Sequence, residues 1–282
     1  MKITDIHNRV KQPISIEMFP PKGEMSLESA REVLTGFAPL KPDYISVTYS
    51  AGGGGNTLRT AEIAEIIKKD FGITSLSHLT CCNSRKSEID TTVRDLRSRG
   101  IENILALRGD LSPERELSPD YTYASDLLKD LAGKGFSLGA GCYPEGHMDC
   151  ETLDEDIEHL LIKQNCGADF FLSQLFFDND KFFRFYDKAT AAGISKPVTA
   201  GIMPILGKAQ VSRMIFMCGV SLPADIIRLL NKYESSPDDL RKAGIEHAAI
   251  QAKAVYDSCN CGIHIYSMNH PDIAQTVMQA LR

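Results

Sequence analysis

Short apolar runs of strand length alternate along this chain with longer amphipathic stretches. The runs lie at 14–19, 44–49, 73–80, 103–107, 136–142, 169–175, 197–203 and 262–267, and each is bounded by Gly, Pro, Asn or Asp. Between them apolar residues recur at helical spacing: Ile63, Ile66 and Ile67; Ile89, Val93 and Leu96; Ile157, Leu160 and Leu161. Helices are accordingly expected over 26–37, 60–69, 87–99, 124–131, 152–165, 179–192, 208–218, 223–232, 237–258 and 271–281. Thr152 and Glu155 have the spacing of a capping box, Gly100 follows one helix as its stop, and Pro20-Pro21 and Pro204 end strands. Residues 1–11 are polar and carry no predicted element.

A strand followed by a helix, repeated at intervals of about 30 residues, implies right-handed crossovers and a parallel sheet. Eight such strands predict a single (β/α)₈ TIM barrel over residues 1–282. Periodicity alone leaves an open doubly wound sheet as the alternative.

Composition narrows the function. The 282 residues are 43% hydrophobic and 24% charged, which supports a packed core. A net charge of −6 disfavours a nucleic-acid surface, which needs clustered Lys and Arg. No run of about 18 apolar residues is present to cross a membrane. The start of the chain lacks the apolar core of a signal peptide, so the expected compartment is the cytoplasm. None of the eight cysteines forms a Cys-x-x-Cys pair, and they read as reduced, partly buried thiols rather than disulfides or metal ligands.

In a barrel the carboxyl ends of all the strands meet at one mouth, so polar residues at those ends are candidates for a site. Glu17 stands within the first run, and a carboxylate there needs a partner, a shifted pKa or a cavity. The second run leads into Gly52-Gly53-Gly54-Gly55, a backbone able to approach a ligand, although neither a dinucleotide fingerprint nor a P-loop is spelled out. Thr48, His78, Arg108, Gly109, Asp110, Tyr143, His147 and Gln174 follow at or just after the ends of successive strands. Asp156, His159 and Lys163 form a polar stripe on the helix after the fifth strand. Each has an ordinary explanation singly: a solvated face, a core histidine, a mobile loop. Their recurrence at strand ends is what points to a site.

With these residues assembled, the chain resembles the methylenetetrahydrofolate reductase family, in a divergent bacterial-type form carrying the catalytic barrel only. The resemblance runs from about Ile14 to Asn269. It is carried by Ser15-Ile16-Glu17-Met18-Phe19-Pro20-Pro21, Val47-Thr48-Tyr49, His78-Leu79-Thr80-Cys81, Ala106-Leu107-Arg108-Gly109-Asp110, Tyr123-Ala124-Ser125-Asp126, Tyr143-Pro144-Glu145-x-His147 and Gln174-x-Phe176-Phe177-Asp178. It implies an FAD-dependent oxidoreductase that takes hydride from NADH or NADPH and reduces 5,10-methylenetetrahydrofolate to 5-methyltetrahydrofolate. That product feeds one-carbon metabolism and methionine biosynthesis.

On that resemblance Glu17 is the catalytic acid and Asp110 the carboxylate between cofactor and folate. Gln174, Thr48 and Asp110 touch the substrates. Thr48, His78, Arg108, Gly109, Asp110, Ala124, Tyr143, His147, Asp156 and Lys163 hold FAD. Homo-oligomers are usual for the family, and a partner subunit is a further expectation. The chain departs from the pattern at His159, Ile162, Lys208 and His270, and in the glycine-rich run. A flavin-free pterin methyltransferase barrel and a folate- or flavin-binding subunit of a larger redox complex remain as alternatives. A Schiff-base aldolase is disfavoured, because no lysine falls within a predicted carboxyl strand end.

Overall fold

The computed structural model describes residues 1–20, 27–49, 57–111 and 116–282. The Gly52 to Gly55 run, Pro21, Ser26 and part of the loop after Asp110 lie outside the described residues.

Eight parallel strands close on themselves in sequence order, β1 (Ile14–Met18), β2 (Tyr44–Val47), β3 (Thr74–Thr80), β4 (Asn103–Leu107), β5 (Ser137–Cys142), β6 (Phe170–Ser173), β7 (Val198–Ile202) and β8 (Gly262–Ile265). The seam pairs Ser15 with His264 and Ile16 with Ile265. Closure decides between the two predicted architectures in favour of the (β/α)₈ barrel.

The helices are α1 (Ile3–Arg9), α2 (Leu27–Phe37), α3 (Thr57–Lys69), α4 (Lys86–Ser98), α5 (Ala124–Leu131), α6 (Leu153–Asn165), α7 (Asn179–Ala191), α8 (Lys208–Cys218), α9 (Ala224–Lys232), α10 (Pro237–Ser258) and α11 (Pro271–Leu281). All but α1 answer to a predicted helix.

Helix α1 was not anticipated from the polar start of the chain. It lies across the amino-terminal end of the barrel, where Ile3 and Ile6 pack with Tyr44, Leu76, Leu105 and Phe170. The Ile3 N–H donates to Asn103 Oδ1 at 2.8 Å, and the Asn103 side-chain amide donates to Ser75 O at 2.9 Å. Two apolar residues were too few to show a helical period, yet both are buried.

Strand alternation sorts the residues. Ile16, Met18, Ile45, Val47, Ile104, Ala106, Ile263 and Ile265 face the helices in the main core, whereas Ser15, Glu17, Ser46, His78 and His264 point inward. Glycine sets the packing at two inward positions. A Cβ on Gly139 would lie 2.5 Å from the Phe170 ring, and one on Gly201 would lie 2.5 Å from both Ser173 O and the Tyr266 ring. A second apolar cluster, outside the barrel, packs α8, α9 and Leu240 against the loop after β7 through Ile205, Val211, Ile226 and Leu230. It accounts for the long gap between the seventh and eighth strands.

Candidate active site

The carboxyl ends of the strands open into a cavity of about 440 Å³. Its walls include Glu17, Thr48, His78, Arg108, Gly109, Asp110, Tyr143, His147 and Gln174, nine of the residues singled out from the sequence. A groove of about 450 Å³ adjoins it between α5 and α6, lined by Ala124, Asp156 and Lys163, the other three to which the resemblance gives a role, and by His159 of the polar stripe. Leu107, Arg108, Gly141, Tyr143 and His147 border both spaces. Period-two alternation explains the meeting: Glu17, Thr48, His78 and Gln174 occupy inward positions at the last layer of the barrel.

Glu17 sits 15% exposed at the floor of the cavity, its Oε2 3.9 Å from Nε2 of His264. His264 is fully buried, with Nδ1 2.7 Å from Ser15 Oγ and Nε2 3.3 Å from Ser46 Oγ. The carboxylate is therefore backed by a buried polar chain reaching down the barrel axis. His264 falls within the eighth predicted strand run, and its inward register, opposite Ser15, is the signal that places it in the site. Tyr266, two residues on, crosses the mouth with its ring edge-on to His264 at 5.3 Å and its hydroxyl donating to Ser173 O at 2.7 Å. It too lines the cavity unforeseen, as do Met203, Met214, Met217 and Cys218.

His78 is buried, and its Nε2 has no hydrogen-bond partner among the described residues. Burial pushes this imidazole down to about 4; the nearby Glu17 charge opposes that shift and His264 adds to it. It is neutral at physiological pH, with an unspent polar atom in the wall of the cavity.

Just after β4, Arg108 reaches across to Asp149 Oδ2 at 2.7 Å. Gly109 has φ +90°, and a Cβ there would meet Thr80 at 3.0 Å and Cys82 Sγ at 3.2 Å, so the turn requires glycine. Asp110 stands exposed at the rim. Gln174 accepts the Leu175 N–H on Oε1 at 2.8 Å, which orients its amide and leaves the NH₂ as the donor offered to a ligand.

In the groove Lys163 donates to Gly141 O at 3.0 Å and lies 5.3 Å over the Tyr143 ring. Burial lowers its pKa, with Asp156 opposing. Burial raises that of Asp156, and Lys163 and His147 work the other way. His147 is held down by burial and by Arg108, and accepts the Asp149 N–H on Nδ1 at 3.1 Å. At the other wall Asp126 Oδ2 accepts the N–H groups of Thr122 and Tyr123, both at 2.9 Å, and so fixes the turn that sets Ala124 at the start of α5.

The departures from the family pattern fall around this framework. Ile162 is half exposed on the groove wall and His159 lies beside it. Lys208 turns to Glu234, and His270 precedes α11.

A parallel barrel with a carboxylate at its floor and a long groove leaving its mouth is the architecture of a small-molecule enzyme. The methylenetetrahydrofolate reductase family model matches residues 2–282, and the chain belongs to that family. It is 32% identical to methylenetetrahydrofolate reductase 1 of Schizosaccharomyces pombe over 292 residues, covering 100% of this chain and 48% of the relative. It is 30% identical to the 5,10-methylenetetrahydrofolate reductase of Escherichia coli K12 over 271 residues, covering 95% of this chain and 90% of that one. The chain thus spans about half the length of the fission-yeast relative and most of the bacterial one. Among solved structures, an uncharacterised Clostridium thermocellum protein described as binding two copies of 5-methyl-5,6,7,8-tetrahydrofolic acid superimposes with a TM-score of 0.70 at 15% identity, covering 99% of this chain and 96% of that one. At that identity the likeness is one of fold. Among the described residues no helix is long and apolar enough to cross a membrane.

Proposed function

We propose that this chain reduces 5,10-methylenetetrahydrofolate to 5-methyltetrahydrofolate at the expense of NADH or NADPH, with FAD as its cofactor. The observation that carries the reading is the continuity of the mouth, floored by Glu17, with the groove that runs past Arg108, Tyr143 and His147 to Asp156 and Lys163, in a chain matched along its length by the family model.

The residues suit a bound dinucleotide. His78 Nε2 is a buried polar atom without a protein partner, and the only side-chain hydrogen bond to the buried Asp156 among the described residues is a long thiol contact, so both have capacity for a ligand. The first turn of α5 opens on the groove, where a helix start favours anions, and Arg108 and Lys163 add positive charge. Thr48 and Gly109 line the mouth and Ala124 the groove. When bound, the flavin would carry hydride from the nicotinamide to the folate carbon.

The protein's own contribution is positioning and proton supply. Opening of the substrate's five-membered ring requires a proton at N10, and Glu17, half-enclosed at the floor, is the acid placed to give it. The ring-opened substrate is an iminium cation, and Asp110 at the rim supplies a fixed negative charge near it. The Gln174 amide donor and Thr48 orient whichever substrate occupies the mouth. Over a full turnover one nicotinamide hydride and one proton end on the folate, and oxidised nicotinamide leaves.

A Glu17→Gln variant tests the assignment. The purified variant is expected to keep visible flavin absorption and anaerobic reduction by the nicotinamide, while its folate half-reaction falls by about 10² to 10⁴-fold, the usual contribution of a general acid. Equal slowing of both half-reactions in stopped-flow would make Glu17 structural. A colourless wild-type protein would favour the pterin methyltransferase barrel. A flavoprotein inert to both nicotinamides would favour a different electron donor and a partner subunit. A cytoplasmic homo-oligomer belongs to the same reading, and light scattering reads the assembly.

A further inference from the structure

The ladder between β1 and β8 stops before the strand that carries Glu17 does. It pairs Ile14 with Ile263, Ser15 with His264 and Ile16 with Ile265, whereas β1 runs on beside β2 as far as Met18. Backbone groups alternate in direction along a strand. Those of Ile14 and Met18 turn to the β2 side, where Ile14 O accepts the Asp43 N–H at 2.8 Å and Met18 O the Thr48 N–H at 3.0 Å. Those of Pro13, Glu17 and Phe19 turn to the β8 side, where Pro13 O accepts the Ile263 N–H at 2.9 Å. Because β8 ends at Ile265, Glu17 and Phe19 face no strand there, and their backbone groups need other partners.

Side chains from the loop after β8 supply them. The Ser267 hydroxyl donates to Glu17 O at 3.2 Å. Asn269 meets Phe19 with both ends of its amide: Oδ1 accepts the Phe19 N–H at 3.1 Å, and Nδ2 donates to Phe19 O at 2.9 Å. One side chain thereby reproduces the two bonds that a strand would have made. The backbone is bent to allow it. Only three non-glycine residues among the described residues have positive φ, and two of them are Met268 at +55° and Asn269 at +60°. Asparagine tolerates this left-handed region, and Met268 is held in it by packing against the cluster of α8 and α9. Ser267 is fully buried, its N–H donating to Ile265 O and its carbonyl accepting the His270 N–H, both at 2.9 Å. Two strained residues side by side at the rim of a cavity persist because their surroundings enforce them.

We propose that Asn269 and Ser267 are positioning residues for the general acid: they complete the seam between β1 and β8 with side chains, and so fix the strand end from which Glu17 reaches the floor of the cavity. Without them that end is anchored on its β2 side alone, through the register of Glu17 with Ser46 and Met18 with Val47. A proton donor works only within hydrogen-bond reach of the atom it protonates, and a misplacement of about 1 Å can cost about 10²-fold in rate. The role rests on the folate chemistry proposed above for Glu17, whereas the clasp itself is readable without substrate.

The test is Asn269→Gly in the full chain, which removes the amide while glycine keeps the left-handed backbone at no steric cost. In stopped-flow the folate half-reaction should fall about 10- to 100-fold, with reduction of the bound flavin by the nicotinamide unchanged. Because Asn269 acts through Glu17, adding Asn269→Gly to Glu17→Gln should slow that half-reaction no further. In residue-resolved hydrogen exchange without ligand, the Phe19 amide should exchange faster in Asn269→Gly than in the wild type, and the Asp43 amide, on the β2 side, at the same rate. Circular dichroism verifies the fold; should Asn269→Gly not fold, Ser267→Ala, which removes only the contact to Glu17 O, carries the same kinetic test. An equally protected Phe19 amide, equal slowing of both half-reactions, or penalties that multiply in the double variant would overturn the proposal. A wild type that does not reduce the folate would count against the proposed function alone, and the exchange of Phe19 would then decide the clasp.

Discussion

At the scale of single residues the site depends on where the backbone leaves its usual regions and where polar atoms are left unspent. Gly109 is the clearest case of the first. With φ +90° and Thr80 Cβ 3.0 Å from where its own Cβ would be, Gly109→Ala is expected to lose about 1 to 2 kcal/mol in a urea titration and to displace the neighbouring Arg108 and Asp110. An unchanged midpoint with unchanged folate kinetics would show that the turn can relax at no cost. Such positions were legible in part. Arg108-Gly109-Asp110 stood out because an apolar run ended abruptly in charge, and Glu17 because a carboxylate interrupted a strand. His264 and Tyr266 did not stand out, since a histidine and a tyrosine within an apolar strand suit an ordinary core. Only the closed barrel, which sets β8 beside β1, brings His264 to 3.9 Å from Glu17.

At the scale of elements, strand-helix alternation is strong enough to locate all eight strands and ten of the eleven α-helices among the described residues, because most of these helices bury a stripe of three or more apolar residues. Strand ends were read one or two residues too long at several places, as at Phe19 and Tyr49, where the chain has already left the ladder for the loops of the mouth. The exception, α1, owes its helicity to tertiary packing rather than to period. Ile3→Ala should accordingly cost about 2 to 5 kcal/mol, the range for truncating a buried large aliphatic side chain. Because α1 plugs the end of the barrel opposite the mouth, kcat and KM at a temperature where the variant stays folded should be those of the wild type. A selective loss of turnover would mean that α1 reaches the site. Gly244 in α10 sets a second constraint of this kind: a Cβ there would sit 1.8 Å from Ile205 O, so Gly244→Ala must push the longest helix off the loop after β7. That loop carries Met203 in the cavity wall, so this variant should lower both the melting temperature and substrate affinity.

At the scale of the whole molecule, acid acts on the two ends of the barrel at once. Burial holds His78 at the mouth and His7 in α1 down to about 4, from an ordinary value of 6.5 in the unfolded chain. Between these values the unfolded chain takes up a proton that the native protein refuses, so stability rises with pH across the window. The contribution is complete above about 6.5 and is lost as pH falls towards about 4; a shift of this size at His78 corresponds to about 3 kcal/mol. Asp43 and Asp156, raised by burial, bind protons more readily in the folded state and oppose the trend, so the wild-type curve alone does not isolate the histidine. His78→Gln does, because an amide of similar reach fills the site without titrating. Unfolding free energies from urea titrations at intervals between pH 7 and 4.5 should show a shallower pH dependence in the variant. The difference should approach one proton, about 1.4 kcal/mol per pH unit, in the middle of the window. Parallel curves for variant and wild type would mean that His78 takes up its proton as easily in the barrel as in the unfolded chain, and that its buried, unpartnered Nε2 is not the neutral ligand-facing atom described for the mouth.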